Sequence, residues 1–140
     1  MAFIQNVAMA DIPRRFHCEP GVNSMLIQIV DPGMSFPVPP TPFKETHQFQ
    51  FLDIEEAGSG ACTDDQAEML AALLERALTT NMNVIVHCVA GVARSGAVAE
   101  VGVIMGFDDA EAYRSPNRLV KHKMMKVLGL DFDPNEPPTI

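Results

Sequence analysis

Cys88 and Arg94 are the residues of this chain best suited to covalent chemistry. They stand in the run His87-Cys88-Val89-Ala90-Gly91-Val92-Ala93-Arg94-Ser95. A cysteine held as its thiolate is a strong nucleophile. A guanidinium is a planar fork that matches two oxygens of a phosphoryl group. The five residues between them, Val89 to Ala93, carry no charged side chain, so main-chain N–H groups would do most of the anion binding. Gly91 supplies the backbone freedom that a tight turn needs. Val84-Ile85-Val86 just before the run is apolar and β-branched, as in a strand buried on both faces. Gly96 to Met105 just after it is apolar nearly all round, as in a buried helix. A loop that joins such a strand to a helix N-terminus aims successive N–H groups inward and binds phosphate. The same positive field stabilises a thiolate at Cys88. Ser95 is placed to donate a hydrogen bond to the sulfur and ease its departure. His87 is expected to orient the loop through hydrogen bonds, because a thiolate needs no base.

Other elements must hold this loop. Residues 2–8 and 24–30 read as strands, the second closed by the turn Asp31-Pro32-Gly33. Five prolines within 31–43 make that segment an extended surface loop. His47 to Asp53 reads as the next strand, with Phe49 and Phe51 on one face. The clearest helix follows: Thr63 and Gln66 form a capping box, Asp64 and Asp65 suit the helix start, and Leu70, Leu73, Leu74, Ala77 and Leu78 share a face. Asn81 closes it. Asp108 to Tyr113 suggests a short helix. Ser115-Pro116 offers an N-cap followed by proline at the first helical position. Val120, Met124, Val127 and Leu128 line one side of a last helix that Gly129 stops. The alternation predicts an α/β domain whose central, mostly parallel sheet of four to five strands is flanked by helices. One domain is expected over residues 1–130, with a proline-rich tail at 131–140.

The run 87–95 resembles the signature of the protein tyrosine and dual-specificity phosphatases: His-Cys, five residues, Arg, then Ser or Thr. The order of strand, acidic loop, amphipathic helix, strand, signature and buried helix is similar to the compact dual-specificity layout from about residue 24 to 128. Pro116-Asn117 before the last helix looks like a recurring element of that family. The resemblance implies a two-step reaction without metal or cofactor. The thiolate attacks phosphorus while an upstream acid protonates the leaving oxygen, and water then hydrolyses the cysteinyl phosphate. The chain has no Trp, so the Trp-Pro-Asp loop of the larger tyrosine phosphatases is absent. In the smaller relatives the acid follows the strand before the amphipathic helix. Asp53, Glu55 and Glu56 all qualify by position; Asp53 is preferred for its residue type and its place at the strand end, with Glu56 next. The implied substrate is phosphotyrosine, with phosphoserine or phosphothreonine alongside it. The alternative is a non-catalytic phosphate reader. Phosphoinositide and RNA 5′-phosphatases fit less well, because Val89, Ala90, Val92 and Ala93 are neutral.

Bulk properties agree with one globular domain: 140 residues and 47% hydrophobic content. A net charge of −8 disfavours nucleic acid or anionic membrane as partner and leaves a phosphorylated protein or peptide, met by a monomer. Cys18, Cys62 and Cys88 form no disulfide framework, which points to the cytoplasm. The first residues lack the pattern of a signal peptide, and no apolar run reaches the roughly 18 residues of a membrane span. The pair His17-Cys18 reads as structural and Cys62 as an unremarkable thiol; His47 and His122 read as surface or strand residues, since no metal-ligand spacing links them. The nine methionines read as core filler. Arg118, Lys121, Lys123 and Lys126 read as a solvated helix face.

Overall fold

A computed structural model describes residues 2–13, 16, 19–40 and 42–130. The pair His17-Cys18 and the tail 131–140 lie outside the described residues. The elements run β1 (Phe3–Ala8), a short 3-10 turn (Met9–Asp11), β2 (Ser24–Val30), β3 (Glu45–Gln50), α1 (Asp64–Thr79), β4 (Asn83–Cys88), α2 (Arg94–Met105), β5 (Asp108–Asp109) and α3 (Arg118–Leu128). The five strands form one sheet in the order β3-β2-β4-β1-β5, and every pairing is parallel.

The apolar β4, Val84-Ile85-Val86, sits between β1 and β2 at the centre. Strand alternation sends Val84, Val86 and Cys88 to one face of the sheet and Ile85 and His87 to the other. The first face carries the main core, where Ile4, Ile27 and Val86 meet Leu70, Leu74, Val101 and Met124 from all three helices. The second face is smaller. Val7, Leu26 and Ile85 pack there with Ile12, Phe16 and Phe43 from connecting segments. The ends of β4 and β1 coincide, with Ala8 opposite Cys88, and Gln28 near the end of β2 lies opposite His87. The loops that leave these strands therefore converge, which is where parallel sheets place their ligands.

The capping box at Thr63 and Gln66 forms in both directions. Asn81 takes a positive φ of 58° just past the end of α1, the left-handed backbone that Asn tolerates at a helix stop. Gly129 does the same after α3, with φ 69°.

Several expectations shift. The third strand covers 45–50, not 47–53: Leu52 N–H turns to Gly60 O at 2.7 Å, so the chain leaves the sheet there. Residues 108–113 form no helix; Asp108 N–H bonds Ala2 O at 2.9 Å and β5 extends the sheet edge instead. Asn117, rather than Ser115, caps α3, accepting from Val120 N–H at 3.1 Å, and Pro116 lies before the cap. Val127 is 45% exposed while Met125 is buried, because α3 packs between α1 and α2 and turns a shifted stripe inward. Two basic residues of α3 are also pinned rather than solvated. Lys123 reaches Asp64 at 3.0 Å and Cys62 O at 2.9 Å, and Lys121 reaches Glu100 at 3.8 Å. Cys62 is buried, and burial pushes its thiol up to about 11, so it stays protonated at neutral pH. Among the described residues no helix is long and apolar enough to cross a membrane.

Candidate functional site

The site starts from the sulfur. Cys88 ends β4 and is 2% exposed. Its Sγ accepts from Gly91 N–H at 3.2 Å and lies 3.1 Å from Ser95 Oγ. The loop 89–93 that wraps around it is held from outside by its carbonyls. Val89 O accepts from Met9 N–H at 3.2 Å, Val92 O from Ser115 N–H at 3.1 Å, and Ala93 O from Asn117 N–H at 2.9 Å. Gly91 O accepts from Asn6 Nδ2 at 2.8 Å. With four carbonyls of the loop engaged outward, its N–H groups are left to the concave side over the sulfur, the arrangement of an anion nest. The first turn of α2 has no capping side chain, which leaves its N–H groups and the positive end of the helix to the same space.

Gly91 could not be another residue. Its φ is +76°, and a Cβ there would meet Ala8 N at 2.3 Å and Val7 C at 2.4 Å. The loop thus leans directly on the end of β1.

Arg94 opens α2 and is 4% exposed. Its guanidinium is anchored through Nη1 alone, which donates to Asp31 Oδ1 and to Phe51 O, each at 2.7 Å. Its Nε is buried and has no hydrogen-bond partner. A buried charged donor without an acceptor is costly, and an anion in the nest would supply one.

The acid candidates separate. Asp53 Oδ1 accepts from Asn117 Nδ2 at 2.7 Å, and the backbone N–H of that same Asn117 holds Ala93 of the loop. Asp53 is thereby tied to the anion loop through one residue. Glu55 Oε2 instead accepts from Arg118 N–H at 2.7 Å at the start of α3, a helix-terminus contact. Glu56 is exposed and makes no hydrogen bond or ion pair with the described residues.

His87 points to the face opposite Cys88. Its Nδ1 lies 3.4 Å from Cys88 O, and its Nε2 is buried without a partner, so it makes little of the hydrogen bonding expected of it. Burial lowers it to about 4, and the Arg94 charge adds to the shift; it is neutral at pH 7. The folded form therefore resists a proton that the unfolded chain accepts near 6.5. Stability is full above pH 6.5 and falls as pH drops toward 4, by about 3 kcal/mol from this group. Chemical denaturation of wild type and His87→Gln at pH 7 and pH 4.5 should show a smaller acid loss in the variant. Equal losses would remove His87 as the cause.

Comparison with known proteins gives the fold a name. The structure matches human tyrosine phosphatase-like serine/threonine/tyrosine-interacting protein with a TM-score of 0.53 at 17% identity, covering 78% of each chain. It matches human DUSP28 with a TM-score of 0.53 at 16% identity, over 89% of this chain and 90% of that one. The chain has the compact dual-specificity phosphatase fold. OH1, a tyrosine phosphatase from the Orf virus, matches with a TM-score of 0.50 at 20% identity, and the match covers 92% of this chain and 61% of OH1. No protein-family model and no curated protein matches the sequence.

On this fold the run 87–95 wraps Cys88, and Asp53 joins it only through Asn117. Asp31, which anchors Arg94, and Asn6, which holds Gly91, have site roles that spacing does not mark. Asp31 looks like the first residue of an ordinary Asp-Pro-Gly turn. Asn6 had a signal: Asn is disfavoured in strands, and here it is 4% exposed and bonds the loop.

Proposed function

We propose that the protein is a cysteine-dependent phosphomonoesterase that removes phosphate from phosphotyrosine, and from phosphoserine or phosphothreonine, in protein substrates. The observation that carries this reading is the loop 89–93. Four of its five carbonyls are bonded away from Cys88, while the buried Nε of Arg94 lacks an acceptor. In the proposed reaction the phosphate sits in the nest with two oxygens on Arg94. Cys88 Sγ, as thiolate, attacks phosphorus, the ester P–O bond breaks, and Asp53 gives its proton to the leaving oxygen. Water then attacks the phosphocysteine, Asp53 takes a proton from it, and the P–S bond breaks with Ser95 Oγ stabilising the departing sulfur. Asn117 would keep Asp53 turned toward the loop. This reading carries with it one domain over 1–130, a phosphorylated protein as partner and the cytoplasm as compartment.

Rapid quench with p-nitrophenyl phosphate followed by mass spectrometry tests it. Phosphate should appear on Cys88 in wild type. In Asp53→Asn the first step suffers little, because p-nitrophenolate leaves without a proton, while hydrolysis slows by about 100-fold and phosphocysteine accumulates. Accumulation in Glu56→Gln but not in Asp53→Asn would move the role to Glu56. No phosphocysteine in any variant would leave the non-catalytic phosphate reader.

A further inference from the structure

A second concavity adjoins the anion loop. It arises because β5 pairs with β1 only at Phe3 and Ile4, so residues 5–8 of β1 have no strand on that side among the described residues. The resulting cleft of about 490 Å³ has Ala90, Gly91 and Val92 as one wall and Asp11, Glu111 and Tyr113 around it. A group bound there would therefore be a close neighbour of a phosphoryl group held in the nest.

Among the described residues the lining carries charge of one sign. Asp11 and Glu111 contribute two carboxylates, and no lysine or arginine lines the cleft among the described residues. Neither acid forms an ion pair with a described residue. Tyr113 is 78% exposed and offers a ring face of the kind that attracts guanidinium and ammonium groups. At the base, Asn6 is 4% exposed and lines the cleft. Its Nδ2 is committed to Gly91 O at 2.8 Å and Tyr113 O at 2.9 Å, but its Oδ1 is buried without a partner and is a free acceptor. The position of Glu111 is fixed rather than adaptable. It holds φ 62°, its N–H is bonded to Asp109 Oδ1 at 2.8 Å, and Asp109 is gripped by Arg114 through both carboxylate oxygens. Carboxylates, an aromatic face and an unused acceptor suit a cation with several N–H donors.

We propose that this cleft is a specificity subsite for an arginine side chain of the substrate, flanking the phosphorylated residue. The inference rests on the phosphatase reading for its orientation: the phosphate occupies the nest and the guanidinium lies across the wall formed by Ala90–Val92. Basic phosphopeptides are then the favoured substrates. An acidic residue at the same position is repelled.

The test uses phosphotyrosine peptides identical but for arginine, alanine or glutamate at each flanking position in turn. Binding is measured to the Cys88→Ser protein, which holds substrate without consuming it. At one position arginine should bind about tenfold tighter than alanine, equivalent to about 1.4 kcal/mol, and glutamate weaker than both. Asp11→Asn with Glu111→Gln on the same background should bring arginine and alanine within about twofold. Glu111→Lys should favour the glutamate peptide and serves if the double variant is unstable. The inference is overturned if no position distinguishes arginine from alanine, or if the preference survives both sets of changes. Wild-type turnover of p-nitrophenyl phosphate, which has no flanking residue, separates the two readings. Turnover without an arginine preference overturns the subsite alone. A preference without turnover upholds the subsite and overturns hydrolysis.

Discussion

Replacing Cys88 by serine should lower turnover of p-nitrophenyl phosphate by a factor on the order of 10⁴ or more while leaving the anion site in place. Loss of a covalent nucleophile costs this much where no other group can take its part. None can here: Ser95 Oγ lies 3.1 Å from the sulfur, but its hydroxyl has no base beside it, since strand alternation turns His87 to the other face of the sheet and burial, which lowers it to about 4, makes it a poor base. The substitution exchanges the sulfur for a smaller oxygen and keeps a polar atom for Gly91 N–H. The carbonyl anchors of the loop on Met9, Asn6, Ser115 and Asn117 involve no atom of the Cys88 side chain. Phosphate or tungstate should accordingly still raise the melting temperature of the variant, as a ligand that binds only the folded state does. A variant that hydrolysed at the wild-type rate would end the reading of Cys88 as nucleophile. A variant that lost both turnover and anion binding would show that the loop depends on the sulfur for its shape.

The reach of the sequence differs from one part of the site to another for a physical reason. Cys88 to Ser95 is local: one strand end, one turn and one helix start within consecutive residues, so spacing and residue type decide it. Helix α1 is legible on the same grounds, because Thr63 and Gln66 signal a cap and the leucines repeat at helical spacing. The partners that hold the loop are far off in the chain. Asp31 stands 63 residues from Arg94, Asn6 stands 85 from Gly91, and Asp53 stands 64 from Asn117. These meet only because β4 inserts between β1 and β2, and a single chain's local pattern does not encode that order. The acidic loop was legible as a region, whereas the choice within it needed α3. Glu55 is committed to the N-terminus of α3, and Asp53 to the Asn that caps it. The error at 108–113 has the same origin: two residues paired to a strand edge outweigh a weak helical pattern.

Arg94→Lys should lower kcat/KM by about 10³-fold, even though the charge is kept. The guanidinium here has two jobs at once. Nη1 is occupied by Asp31 Oδ1 and Phe51 O, which fixes the plane of the group, and in the proposed reaction its other N–H groups hold the anion. A lysine ammonium is a single point with no fork. If it takes over the Asp31 and Phe51 contacts, it leaves the anion without its bidentate partner; if it turns to the anion, the buried Phe51 carbonyl loses its donor. Preorganised donors to a developing oxyanion are each worth about 10²–10³ in rate, and the lysine variant loses more than one. The loss should fall on kcat as well as KM, since the planar fork matches the equatorial oxygens best when the phosphoryl group flattens in the transition state. Asp31→Asn should show a smaller fall, about tenfold, because an amide oxygen can still accept from Nη1 but no longer carries charge. Steady-state kinetics on p-nitrophenyl phosphate, with circular dichroism to confirm the fold, checks both variants. Wild-type kcat/KM in Arg94→Lys would mean that main-chain donors alone hold the phosphate. A loss in Asp31→Asn as large as that in Arg94→Lys would mean that the ion pair, rather than the fork, is what the reaction needs.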